Sequence, residues 1–166
     1  MSDQNMQIKV FIEIPENSRV KYERDEATGM LMCDRLLHTP MNFPFNYGFV
    51  LGSKGQDGDP TDVVVLMSEA VVPGVGLKAK LIGMLEMEDE EGIDTKLIAV
   101  PIQKVDPVYG VWNDVSDIPE HIKNKIKHFF DHYKDLEPGK FVKTGKFLSA
   151  SEAAKVLEAD MQRGSN

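Results

Sequence analysis

With 166 residues, 42% of them hydrophobic, the chain has room for one compact domain with a sizeable core, and residues 1–166 are taken as a single unit. The 27 acidic against 19 basic residues give a net charge of −8, which argues against a general nucleic-acid binder or a binder of anionic membranes, since both rely on basic surface. Cys33 is the only cysteine, the stretch Met1 to Asn5 is polar without a signal-peptide layout, and no apolar run approaches membrane-spanning length; the expectation is a cytoplasmic protein without membrane contact.

Gln7 to Ile14 alternates, with Ile8, Val10, Ile12 and Ile14 on one face, and reads as a strand that Pro15 stops. Arg19 to Arg24 is a second strand in which Lys21 and Glu23 share the face opposite Val20 and Tyr22; taken alone, that segment is better explained as a solvated edge. After the turn Asp25 to Gly29, Met30 to Leu37 reads as a third strand, with Arg35 on the same face as Leu31 and Cys33, either snorkelling, paired or poised as a phosphate clamp. A loop rich in Pro and aromatics, His38 to Gly48, leads into a short strand ending near Val50.

Asp57-Gly58-Asp59-Pro60-Thr61-Asp62 follows, with Val63 to Leu66 behind it. Gly and Pro force a turn, and the β-branched run reads as a buried strand, so three acids sit at a strand mouth. A solvated turn would explain Asp57 to Pro60 alone, but Asp62 is set directly into the apolar strand. An EF-hand loop does not fit, because its Gly position holds Asp62 and its closing Glu position holds Ser68. Leu77 to Met87 is a long extended segment in which Gly83 marks a bulge or bend. Glu86 to Lys96 then forms a heavily acidic hairpin tip before the apolar run Leu97 to Val100.

Beyond Pro101 the chain is irregular through Asp114. Asp117 is a candidate N-cap, and Ile122, Ile126, Phe129, Phe130 and Tyr133 recur at helical spacing, which predicts a helix from about Pro119 to about Tyr133. His128 and His132 lie four apart on it without a third ligand nearby, favouring a surface or subunit-contact role over a metal. An irregular connection follows Glu137-Pro138-Gly139, and Ser149 with Glu152 opens a terminal helix whose apolar side carries Val156, Leu157 and Met161. About seven strands followed by two helices predict an α+β, mainly β domain built on a five-stranded barrel with loop tips at one mouth.

Crowded carboxylates repel by about 1 to 4 kcal/mol per pair at ~4 Å, so two acidic tips converging on that mouth would need a hard divalent cation. If Asp57, Asp62, Asp89 and Asp94 all reach it, they could hold two or more Mg²⁺, and Asp59 is placed to take a proton from an activated water. Lys21, Arg35, Lys96 and Lys134, with tyrosyl hydroxyls, would orient phosphate oxygens. Without a Ser/His/Asp set, a cysteine nucleophile or a Walker glycine loop, these parts point to metal-assisted hydrolysis of a phosphoanhydride with no covalent intermediate.

The Asp57 to Asp62 motif resembles the hallmark of soluble inorganic pyrophosphatases of the first family, prokaryotic type. So do Ile12-Glu13-Ile14-Pro15, Lys21-Tyr22-Glu23, Asp34-Arg35, Asn46-Tyr47-Gly48, Asp89 with Asp94 and Lys96, and His128 to Glu137, in order along nearly the whole chain. The resemblance implies an OB-like five-stranded β-barrel with additional strands and two flanking helices, and hydrolysis of pyrophosphate to two phosphates with several Mg²⁺, for which Mn²⁺ substitutes. It implies Asp57, Asp62, Asp89 and Asp94 as metal ligands and Asp59 as general base. Lys21, Arg35, Tyr47 and Tyr133 become substrate contacts, Lys96 and Lys134 further phosphate partners, and Glu13 and Glu23 acids that orient water around the metals. It also implies a homo-oligomer, with a hexamer favoured and the helix of His128 and His132 as a candidate interface. Phe43 stands where members commonly carry Tyr, Lys146-Phe147 replaces a common Gly-Trp, and the N-terminal arm is short. The alternatives are a non-catalytic OB-type nucleic-acid module, which would show a basic groove, and a cation-buffering protein, in which Asp59 and the basic set have no task.

Overall fold

The computed structural model describes residues 5–166; the sequence reading of Met1 to Gln4 lies outside them. In chain order the elements are β1 (Gln7–Ile14), β2 (Val20–Arg24), β3 (Leu31–Leu36), β4 (Asn46–Val50), β5 (Asp62–Val65), β6 (Gly76–Asp89), β7 (Gly92–Ile93) and β8 (Lys96–Pro101). Short 3-10 turns at Tyr109–Val111 and Val115–Asp117 lead to α1 (Glu120–His132), β9 (Val142–Ser149) and α2 (Ala150–Gly164). None of these helices is long and apolar enough to cross a membrane.

Five strands close on themselves. In the order β1, β4, β5, β8, β6 each bonds to the next, and β6 returns to β1 through pairs running from Gln7 with Lys80 to Phe11 with Gly76. Only β5 with β8 is parallel within this ring. Closure removes the free edges that an open sheet would have to protect. The expected five-stranded barrel with extra strands and two helices is the observed architecture, and β2 with β3 forms a separate hairpin beside it.

β6 serves so many partners because it is 14 residues long and changes register between Leu81 and Gly83. A Cβ at Gly83 would collide with the Val115 side chain and crowd the Leu148 carbonyl, so only glycine lets the strand bend there. Past the bend, β6 pairs with β9, from Gly83 with Ser149 to Asp89 with Val142.

Strand alternation divides the apolar residues between two faces. Val63 and Val65 pack with Ile8, Val10, Ile12, Leu97 and Ala99, and this cluster is covered by Ala153 and Leu157 of α2. Val64 points the other way, into a cluster with Phe43, Phe45, Tyr47, Ile98 and the α1 residues Ile126, Phe129 and Phe130. The helical spacing read from Ile126 through Tyr133 is thus the buried stripe of α1.

Two expectations are corrected. Asp117 does not cap α1, whose first turn is preceded by Pro119 without a side-chain cap; Asp117 instead closes a reciprocal capping box with Asp114 around the turn Val115–Asp117. The connection between Pro138 and Ser149 is not irregular, because Val142–Ser149 is a strand on the β6 edge. Its alternation is weak, with Thr144 and exposed Gly145 and Lys146 where a buried strand would carry apolar residues.

Candidate active site

One large cleft, roughly 1280 Å³, opens where the acid turn, the β6–β8 hairpin tip, β2, β3 and the end of α1 meet. Glu13, Lys21, Glu23, Arg35, Tyr47, Asp57, Asp59, Asp62, Asp89, Asp94, Lys96, Tyr133 and Lys134 all line it, so every site residue read from the sequence reaches the same space. They come from β1, β2, β3, β4, the turn before β5, the β6 to β8 region and the segment just after α1, and the barrel is what converges them.

The acid turn is built by its own backbone. Gly58 adopts φ +89°, a conformation that L side chains rarely take, and its N–H donates to the Gly55 carbonyl at 3.0 Å. The Gly55 N–H donates to the Asp59 carbonyl at 2.7 Å, and the Asp57 carboxylate accepts the Asp59 N–H at 3.0 Å. Asp62 then enters β5, pairing with Phe49. Burial raises the Asp59 carboxyl above its ordinary value, and the charges of Asp57, Asp62, Glu26 and Glu91 push it further the same way.

Lys96, only 4% exposed, sits between the two acidic tips. Its Nζ lies 2.7 Å from Asp62 Oδ2 and 2.9 Å from Asp94 Oδ2, and 5.6 Å from the centre of the Tyr47 ring. Burial alone would discharge it, but Asp62, Tyr47 and Asp94 outweigh that and hold its pKa well above the usual lysine range. Asp94 is itself raised, first by burial and then by Asp62 and Asp89, against the pull of Lys96. Burial and the Asp62 charge raise the Tyr47 phenol well above its ordinary value, and burial raises Tyr133, so both stay protonated donors.

Opposite stand the cations of the hairpin and of α1's end. Arg35 Nη1 meets Asp34 at 2.8 Å, Lys21 Nζ meets the same oxygen at 3.6 Å, and Arg35 Nε faces Glu137 at 3.3 Å. Arg35 Nε nevertheless has no hydrogen-bond partner among the described residues. Lys134 lies 3.4 Å from Asp89 and 3.6 Å from Glu90; burial lowers its pKa, but Tyr133, Asp89 and Glu90 raise it on balance. Glu13 is pushed up to about 7 by burial, with an opposing hydrogen bond from the Arg24 N–H and further upward pressure from Asp62 and Glu23.

Acids outnumber bases in the cleft lining about two to one. Their donors are all oxygen, which suits a hard cation such as Mg²⁺, and Asp59 and Asp94 are raised by burial first and then by the like charges around them. Among the described residues no three acids, histidines or cysteines already converge as an ion site, and Asp62 and Asp94 are paired with Lys96. The donor set therefore fits a divalent cation in its chemistry, without a ready-made cage.

Phe43 lies on the cleft floor, 2% exposed, its ring 4.7 Å from Phe129 and 5.8 Å from Tyr47. The ring gives the cleft an apolar floor beside Tyr47 and Tyr133. His128 and His132 stand apart from the cleft with rings 4.7 Å apart, and His132 Nδ1 meets Asp135 at 2.8 Å. Sequence reading missed Lys140 and Asp160 as cleft residues. Asp160 had a legible signal: it falls three residues after Leu157 and four after Val156, on the apolar stripe itself.

The inorganic pyrophosphatase family model matches residues 10–165. An inorganic pyrophosphatase of Nanoarchaeum equitans is 52% identical over 153 residues, covering 92% of this chain and 94% of its own. One from Helicobacter pylori is 51% identical over 149 residues, covering 90% of this chain and 86% of its own. Among solved structures, a Helicobacter pylori inorganic pyrophosphatase superposes with a TM-score of 0.94 at 48% identity, covering 96% of this chain and 94% of that one. The Thermus thermophilus inorganic pyrophosphatase also reaches 0.94, at 35% identity, covering 99% and 94%. A family model spanning nearly the whole barrel, and relatives at about half identity, put the membership beyond the acid-turn motif alone: the chain belongs to the inorganic pyrophosphatase family.

Proposed function

We propose that this cleft hydrolyses inorganic pyrophosphate to two orthophosphates by direct attack of water, with Asp57, Asp62, Asp89 and Asp94 holding several Mg²⁺ ions, for which Mn²⁺ can substitute. The observation that carries this is the meeting, in one cleft, of two acidic tips with the cations of β2, β3 and the α1 end. When bound, the divalent cations would neutralise facing carboxylate and phosphate oxygens and lower the pKa of the attacking water.

Asp59 acts as the general base. Its carboxyl is raised by burial and by four neighbouring acids, which makes it a better proton acceptor, and the hydrogen bond from its own N–H to Asp57 fixes the turn that carries it. Arg35 binds phosphate oxygens with its planar fork, and Lys21 beside it adds a point charge; Asp34 holds both cations in place meanwhile. Tyr47 and Tyr133 donate from phenols that burial keeps protonated. Lys134 stays cationic against its burial and faces phosphate from the other wall, while Lys96 holds Asp62 and Asp94 in register. Glu13 and Glu23 orient water at the cleft wall. No covalent step on the protein is required.

We further propose a homo-hexamer, the assembly that the family resemblance implies, with α1 at a contact because His128 borders an apolar depression of roughly 440 Å³ formed with Met41, Pro44 and Phe129. Light scattering that returns a monomer would remove this. Exposed Cys33, the one thiol, suits a reducing compartment, and the cytoplasm is the proposed location.

The test is phosphate release from pyrophosphate with Mg²⁺, with Mn²⁺ and with chelator. Turnover that appears with either ion and vanishes with chelator supports the proposal. Folded protein that releases no phosphate with either ion overturns it.

A further inference from the structure

Asp160 has no part in the chemistry assigned above, yet its carboxylate is bonded into the turn that carries that chemistry. It lies near the C-terminal end of α2, and its side chain is 9% exposed. A carboxylate on the buried stripe of a helix must be paired on both oxygens. Oδ2 accepts from the Thr61 hydroxyl at 2.9 Å, across 99 residues of chain, and Oδ1 accepts from Arg163 Nη1 at 2.7 Å.

The surrounding bonds all reach the same loop. Arg163 Nη1 also donates to the Lys54 carbonyl at 2.7 Å, and the Lys54 N–H donates to the Asp160 carbonyl at 3.0 Å. The Thr61 N–H donates to Ser53 Oγ at 2.9 Å, and that hydroxyl donates to the Val50 carbonyl at 2.6 Å. A Cβ on Gly164 would collide with the Gly52 carbonyl, so the helix end is pressed against the loop at a glycine. One end of α2 thereby grips both feet of the acid turn: residues 52–54 before it and Thr61 after it. Thr61 is the residue immediately before Asp62.

We propose that Asp160 is a positioning residue for cation binding: through the Thr61 hydroxyl and the Ser53–Lys54 backbone it sets where Asp62 stands relative to Asp57. This rests on the reading of that turn as a cation site. An anchor serving only the helix would need no partner in the turn, since Ala153 and Leu157 already bury the face of α2. The Thr61 hydroxyl is the side-chain contact that ties the Asp160 carboxylate to the turn, so Thr61→Val severs the link while keeping shape, and Thr61→Ser preserves it.

Mg²⁺ binding is measured by calorimetry without substrate on wild type, Asp160→Ala, Asp160→Asn, Thr61→Val, Thr61→Ser and Leu157→Ala, alongside the Mg²⁺ concentration for half-maximal hydrolysis and the melting temperature. Asp160→Ala and Thr61→Val each weaken Mg²⁺ by about tenfold, the scale of a lost hydrogen bond to a charged group, and shift half-maximal hydrolysis by a similar factor. The Asp160→Ala/Thr61→Val double variant, measured alongside, is no weaker than the singles, because one contact carries the effect. Asp160→Asn and Thr61→Ser stay within about twofold of wild type, and Leu157→Ala lowers the melting temperature without moving Mg²⁺ affinity. Wild-type Mg²⁺ affinity in Thr61→Val and Asp160→Ala, whatever their melting temperatures, overturns the proposal and leaves Asp160 a helix anchor. If Asp160→Ala does not fold, the Thr61→Val and Thr61→Ser pair decides in the same terms. Wild type that binds no Mg²⁺ overturns the cation-site reading and this proposal together, whereas normal binding in wild type with indifferent variants overturns this proposal alone.

Discussion

Asp62 and Asp94 share the buried ammonium of Lys96 at 2.7 and 2.9 Å, whereas Asp57 and Asp59, a few residues upstream of Asp62, have no cation within ion-pair distance among the described residues. Both sets face one cleft, and the burden of like charge falls differently on them. The Lys96 side is partly balanced, with one ammonium between two carboxylates. On the turn side, Asp59 is raised by burial and by every acid around it, with no compensating partner. The difference teaches that the protein neutralises only part of its own site, and the remainder is electrostatic demand that a divalent cation would meet.

The largest expected effect sits on the uncompensated side. Asp59→Asn removes a general base and leaves the fold intact, so Mg²⁺-dependent phosphate release should fall by about 10²- to 10⁴-fold with little change in melting temperature. Retained turnover within an order of magnitude would assign proton transfer elsewhere.

On the compensated side, Lys96→Met should act on stability first. It leaves two partly buried carboxylates facing each other, and breaking such a cluster costs about 3 kcal/mol, the low end of the usual range because Asp62 and Asp94 keep some hydration. Denaturant unfolding in chelator measures this. Wild-type stability in this variant would break the contrast between the two sides.

Added cation should stabilise wild type. At a Mg²⁺ concentration about a hundredfold above its dissociation constant the gain is about 2.7 kcal/mol, a rise of roughly 5–10 °C in melting temperature for a protein of this size. Asp57→Asn should shrink that rise.

The smallest effect is a pH limb. Glu13 is held near 7 in the folded protein against an ordinary 4.5, so the folded state keeps a proton that the unfolded chain has lost. That stabilisation is fully present below about 4.5 and is lost as pH rises through about 7. Melting temperatures in chelator should therefore decline from this group across that window, and Glu13→Gln should flatten the decline. An unchanged slope would show that Glu13 titrates normally.

The sequence made most of this cleft legible, for a physical reason: the acids and cations stand at ends of strongly patterned strands, and period-two alternation at Gln7–Ile14 or Leu97 onward leaves little freedom in where those ends point. What escaped was carried by pairing across the chain. The strand Val142–Ser149 owes its existence to the β6 edge and has little apolar pattern of its own. Asp117 looked like a cap for the helix that follows, but a reciprocal bond with Asp114 claimed it three residues earlier. Asp160 stood on an apolar stripe with Arg163 as its one local partner, and the bond that matters to the turn, from Thr61, comes from 99 residues away. The bend at Gly83 was legible, since glycine inside a strand marks close backbone approach, here to Val115 and Leu148.

The most direct measurement is the rate of phosphate release from pyrophosphate as Mg²⁺ is raised from zero, for wild type and Asp57→Asn together. The uncompensated turn predicts no turnover without cation, a saturable rise in wild type, and the same rise displaced to higher Mg²⁺ in the variant. Turnover in chelator, or identical curves for the two proteins, would contradict the assignment of the cation to this turn.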